Sequence, residues 1–169
     1  NEVSILRNPT HDSLNEFMGG VTHIVGHNVI AYDLRVLHKL LGFDSTATRV
    51  TDTLVLSRLY NPSLEGGHSL RAWGLRLKLH KGDYDDWSKL TEEMITYCVQ
   101  DVEVAHATLN WLTRKLAPFG DESIELEHNV QRVIATQVEN GWLLDQKQAI
   151  DLLGTLYEKK LELETRVRD

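Results

Sequence analysis

Three features of the sequence predict an α/β domain. Val21-Thr22-His23-Ile24-Val25 is rich in β-branched residues and reads as a buried strand. An apolar helical stripe, Leu34, Leu37 and Leu41, follows it, and the strand-then-helix order returns at Arg49–Asp52 and Leu54–Tyr60. The longest periodic stretch runs from Met94 to Leu116. It carries Met94, Cys98, Val102, Ala105, Leu109, Leu112 and Leu116 at helical steps, the pattern of a helix covering a core. Together they predict a mixed sheet flanked by helices.

Taken in order, Glu2–Leu6 reads as a short strand ended by Asn8-Pro9. His11–Met18 reads as a short helix closed by Gly19-Gly20. Gly26-His27-Asn28 breaks the strand that ends at Val25. A helix opens at Asp33 and stops at Gly42, and Asp33 is there either a plain N-cap or part of a site. Asp52 or Thr53 caps the helix that Asn61-Pro62 ends. Ser69 caps a helix with Leu70, Trp73 and Leu77 on it. The stretch 78–89 is polar and irregular, with Gly82, Asp83, Asp85 and Asp86. Thr91, followed by Glu92 and Glu93, is an N-cap with an acidic first turn for the long helix. Pro118-Phe119-Gly120 marks a boundary, which predicts two parts, 1–118 and 119–169. The second is helical: 122–139, an extended piece Trp142–Leu144, and a helix capped by Asp145 with Ile150, Leu153, Tyr157 and Leu161 on one face.

Composition bounds the function. The chain has 169 residues, 41% hydrophobic and 25% charged, ordinary values for a globular protein. No apolar run reaches the length of a membrane span. The single cysteine excludes an internal disulfide and makes a cytoplasmic setting the default expectation. Cys98 lies on the apolar stripe, which predicts a small buried hydrophobe. The net charge of −7 repels nucleic acid unless cations or local basic groups offset it. It argues against a DNA-coating protein but not against a nuclease whose carboxylates hold metal ions.

On the long helix, Tyr97 and Asp101 are four residues apart and share a face beside the core. Asp33 follows a strand, and in open α/β sheets sites gather at strand ends. Gly26-His27-Asn28-Val29-Ile30-Ala31-Tyr32-Asp33 and Tyr97-Cys98-Val99-Gln100-Asp101 resemble the second and third motifs of the DnaQ-like 3′–5′ exonucleases, in the subclass with tyrosine in the third motif. Asp52 through Leu59, His68 through Gly74 and Gln100-Asp101-Val102 extend the resemblance to the proofreading domain of bacteriophage family A DNA polymerases. Glu127-His128 and Glu139 through Asp145 resemble the segment where such polymerases leave that domain, so that the resemblance makes 119–169 the start of the polymerase region.

The resemblance implies an RNase H-like fold and hydrolysis of the 3′-terminal phosphodiester of DNA with Mg²⁺ or Mn²⁺, two ions in a complete domain. Asp33 and Asp101 would be metal ligands, Tyr97 would orient the attacking water, and Asn28 would support the loop near the DNA end. The implied partners are a single-stranded primer 3′ end, the polymerase domain of a longer parent and a processivity factor, with no membrane. The family's first motif, Asp-x-Glu on the first strand, is missing. Asp101-Val102-Glu103 has the spacing but belongs to the third motif. The expectation is therefore a fragment without the first strand, inactive alone. The alternatives are a free-standing nuclease of this class acting on RNA or oligonucleotides, and a non-enzymatic docking remnant.

Other residues weigh less. His27, His68 and His80 lack zinc spacing. His68 reads as a residue at a turn or helix start that packs near the site. Trp73, Trp87, Trp111 and Trp142 read as core or boundary residues rather than as a base-stacking platform. Arg71, Arg76, Lys78 and Lys81 read as a solvated face.

Overall fold

The computed structural model describes residues 2–79 and 84–168. Expectations for His80, Lys81, Gly82 and Asp83 lie outside these residues. The elements are α1 His11–Phe17, β1 His23–Gly26, α2 Asp33–Leu41, β2 Arg49–Asp52, α3 Thr53–Tyr60, α4 Leu70–Arg76, α5 Glu92–Leu116, a 3-10 turn Ala117–Phe119, α6 Gly120–Asn140 and α7 Gln146–Arg168. The chain divides into two compact units, one up to Ala135 and one from Thr136.

In the first unit, β1 and β2 pair in parallel, with His23 opposite Arg49 and Gly26 opposite Asp52. A parallel pair needs a crossover connection, and α2 supplies it. Thr10 and Ser13 form a capping box on α1. α2 ends on Gly42 at φ 65°, a backbone that glycine adopts without a Cβ penalty. Ser69 and Thr91 accept backbone N–H bonds at the starts of α4 and α5, as their types predict.

Two clusters form the core. Leu14, Val29, Ile30, Leu34, Phe43 and Val50 pack together with Ala135. Leu56, Trp73, Val104, Leu112 and Leu116 form the other, where α3 and α4 meet α5.

The structure corrects three expectations here. Among the described residues the sheet has two strands, both parallel, so it is not the mixed sheet predicted. Glu2–Leu6 is not a strand: it joins neither described strand, and Val3 and Ile5 remain exposed. Cys98 is exposed rather than buried. The buried positions of α5 are Val104, Ala105, Thr108, Leu112 and Leu116, because α5 meets α3 and α4 through its C-terminal half. In the N-terminal half of the predicted stripe Met94 is half-buried, and Cys98 and Val102 are exposed.

In the second unit α7 buries none of its residues, and Ile150, Leu153, Tyr157 and Leu161 are all exposed. Lys160 and Glu164 pair at 3.8 Å, one of the helical charge pairs the sequence offers. No described helix is long and apolar enough to cross a membrane.

Candidate functional site

The loop after β1 is built around a buried carboxylate. Asp52, at the end of β2, is 1% exposed. Its Oδ1 accepts the N–H of Asn28 at 2.7 Å and of Leu54 at 2.9 Å, and its Oδ2 accepts the N–H of Ile30 at 3.1 Å. Three backbone donors satisfy the ionised form and replace the water that burial removed. Asp52 thus caps α3 and holds the loop of Asn28 and Ile30 at once. Its own N–H donates to His128 Nε2 at 2.8 Å, so His128 carries its proton on Nδ1, which donates to the Ile124 carbonyl at 2.7 Å. That chain of bonds fastens α6 to the end of β2.

The loop's path demands its glycine. A Cβ on Gly26 would meet Val29 Cβ at 2.7 Å. Asn28 has φ 63°, a left-handed conformation that Asn tolerates better than most residues. Thr53 Oγ1 donates to the Gly26 carbonyl at 3.1 Å, so His27 Nδ1 donates to Thr53 Oγ1 at 2.9 Å. Asn28 is therefore held through its backbone, in the loop the sequence assigned to it.

Asp33 does not cap α2. Tyr32 occupies the cap position with no side-chain cap bond, and Asp33 is the first helical residue. Its carboxyl is pushed above the usual carboxylate range. Burial is the largest cause, its own backbone N–H opposes, and the charge of Asp52 adds to the rise. The residue as a whole is solvent-exposed, so this withdrawal from water is partial. A carboxylate held near another negative charge is one that a cation would relieve.

Tyr97 and Asp101 share a face of α5, one turn apart, and both are half-buried. Asp101 Oδ1 is sealed from solvent. The Tyr97 ring meets two others, Trp87 at 5.6 Å and Tyr84 at 5.9 Å. Nothing in the sequence singles out Tyr84, and the sequence places Trp87 in a core or boundary. It is 57% exposed instead. Trp142 is exposed as well. Trp73 and Trp111 do join the core, with ring centroids 5.2 Å apart.

His68 closes a structural network. Ser57 Oγ lies 2.8 Å from His68 Nδ1 and accepts the Trp73 Nε1–H at 2.9 Å. With Ser57 fully buried, the Ser–His pair locks the segment between α3 and α4 and is no nucleophile. Arg76 is no solvated group either: it donates to the carbonyls of Glu65 and Gly67 and lies over Trp73. A cavity of about 780 Å³ lined by His23, Thr51, Leu109, Leu116 and His128 includes none of Asn28, Asp33, Tyr97 or Asp101.

Among the described residues no group of three or more His, Cys, Asp or Glu side chains is placed to hold a metal ion. Asp52 is already committed to backbone donors. That leaves Asp33 and Asp101 as the carboxylates of the two motifs, and Mg²⁺ is often held by one or two carboxylates with water and phosphate supplying the rest. Two carboxylates are within the number that one such ion takes from a protein.

No protein-family model matches the chain. The chain is similar to the DNA-directed DNA polymerases of Escherichia phage T7 and Enterobacteria phage T3. Each is 30% identical over 198 residues, taking in 83% of this chain and 28% of the relative. The chain thus spans under a third of the length of these curated relatives. The matched stretch is longer than the chain's own 169 residues, so the relatives carry residues within it that have no counterpart here. This is a DNA polymerase-related region.

Proposed function

We propose that the chain is the 3′–5′ proofreading exonuclease region of a DNA-directed DNA polymerase, acting on the unpaired 3′ end of a primer. The observation that carries this reading is the similarity to phage polymerases in a chain where a strand-end loop presents Asp33 and one helix face presents Tyr97 with Asp101. A divalent ion bound at such a site would supply Lewis-acid activation of water and offset charge on the phosphate. Asp33 and Asp101 would hold the ion that meets the terminal phosphate. Tyr97 holds the attacking water by a hydrogen bond to its phenol. Asn28 supports the loop beside the DNA end. The only Asp-x-Glu spacing in the sequence lies within α5, so the chain itself offers no second carboxylate pair on a strand. By itself it binds one ion and does not cleave.

Two measurements on the chain test this. Titration with Mn²⁺, followed by electron paramagnetic resonance, is expected to show one site of weak affinity that Asp33→Asn and Asp101→Asn each weaken by about tenfold or more. Incubation with end-labelled single-stranded DNA and Mg²⁺ or Mn²⁺ is expected to leave the DNA intact. Mn²⁺ binding indifferent to both substitutions would refute the site. Laddering that disappears in Asp101→Ala would show that a further group of the chain completes the ligand set and that the chain cleaves unaided.

A further inference from the structure

We propose that Trp87, braced by Tyr84 and Tyr97, is a stacking platform for the unpaired base at the 3′ end of a DNA strand. The proposal rests on the exonuclease reading for the identity of the strand and adds to it a binding subsite. Three rings meet outside the core. Tyr84 and Trp87 are edge-to-face at 5.1 Å and 84°, Trp87 and Tyr97 edge-to-face at 5.6 Å and 83°, and Tyr84 lies 5.9 Å from Tyr97.

The cluster is fixed to the helix that carries Asp101. The Tyr84 hydroxyl is 3.2 Å from Oγ1 of Thr91, the N-cap of α5. The turn after Trp87 is tied by Asp86, whose Oδ1 accepts the Ser88 N–H at 3.1 Å and the Ser88 hydroxyl at 2.6 Å. The indole is thus positioned and still more than half open to water.

The molecule contains its own contrast. Tyr60, Trp73 and Trp111 form a second set of ring contacts at 5.1 and 5.2 Å. That set belongs to the core, with Trp73 only 1% exposed and Tyr60 and Trp111 partly buried. Of the two sets, the outer one holds the ring that is more than half open to solvent, Trp87. That ring touches the phenol assigned to the attacking water, so a base resting on Trp87 belongs to the nucleotide whose phosphate lies at Tyr97 and Asp101. Charge supports the choice of ligand. At −7 the chain gains little from releasing the counterions of a phosphate backbone. Stacking needs no charge, and every base has a face to offer.

The test is fluorescence anisotropy of a 5′-labelled single-stranded oligodeoxyadenylate with a free 3′ end, in EDTA so that neither metal binding nor hydrolysis contributes. Trp87→Ala is expected to weaken binding roughly tenfold or more, and Trp87→Phe to stay within about threefold of the wild type. An oligonucleotide whose 3′-terminal sugar lacks its base is expected to weaken wild-type binding by a similar factor and to add nothing further in Trp87→Ala. The salt dependence should be shallow. The abasic arm needs no altered protein, so misfolding of a variant does not obscure the result. No measurable binding by the wild type, or binding indifferent to the terminal base, overturns the platform. The exonuclease reading is decided separately, by the Mn²⁺ titration of Asp33 and Asp101.

Discussion

Along α5, Leu112 is 0% exposed and Leu116 1%, whereas Val102, on the same predicted seam, is 69% exposed and Cys98 lies open to solvent. Periodicity gives the two halves the same apolar face. Only the C-terminal half has α3 and α4 against it. A hydrophobic face is a capacity for burial, and a partner is needed to realise it. The sealed half fixes the helix, and Tyr97 and Asp101, both half-buried, lie on the half that is less fully covered.

The sharpest way to break this comparison is to truncate one side chain in each half. Leu112→Ala leaves a cavity where the core cannot close, at an expected cost of about 3 kcal/mol. Val102→Ala removes surface already in water and should change stability by less than about 0.5 kcal/mol. Urea unfolding of the two variants measures both. Equal losses would mean that the open half is packed after all.

A second contrast lies between the two neighbouring carboxylates. Asp52→Ala leaves three backbone donors, on Asn28, Ile30 and Leu54, with their acceptor gone, and should cost about 2–3 kcal/mol. Asp33→Asn should have the opposite sign at neutral pH. Asp33 binds its proton more tightly in the folded chain than in the unfolded one. Between the ordinary carboxylate range and that raised value the folded state holds more protons, so stability falls as pH rises through the window and is level above it. Asparagine removes that slope. Unfolding followed from acid to neutral pH shows the predicted difference as a wild-type stability that drops relative to Asp33→Asn. A drop in the other direction would mean that Asp33 is stabilised as an anion.

The smallest effect concerns the exposed end of the open half. Arg7 donates to both carboxylate oxygens of Glu92, at 2.6 and 2.9 Å. This bond, and then the charge, holds Glu92 below its ordinary range. A lowered carboxyl contributes stability above the unfolded value and loses it as pH falls through the folded one. Both groups face solvent, so the measurement is NMR titration of Glu92. Arg7→Ala is expected to move it back up, with no shift elsewhere in α5.

The helices are legible in the sequence because their signals are local. Gly42 stops α2, Ser69 and Thr91 cap α4 and α5, and Asn61-Pro62 ends α3, each through bonds within a few residues. Tyr97 and Asp101 fall on one face for the same reason. Glu2–Leu6 has the composition of a strand and is not one, because strand propensity does not decide whether a segment docks on a sheet edge. Cys98 has the phase of a buried residue and is exposed, because phase says nothing about cover. Asp52 has the place of a helix cap, and it is one. Its grip on the loop before Asp33 depends on Asn28 and Ile30, more than twenty residues earlier, which no spacing rule connects.

The sequence by itself determined the period and start of the long helices and that Tyr97 and Asp101 share one of them, since hydrogen bonds between near neighbours decide those. The tertiary structure alone decided which half of α5 is sealed, that Asp52 is buried under three backbone donors, that His128 ties α6 to β2, and that Trp87 stands in solvent against Tyr97. Each of those depends on contacts between residues that no local pattern links, and burial is a property of what arrives on the other side.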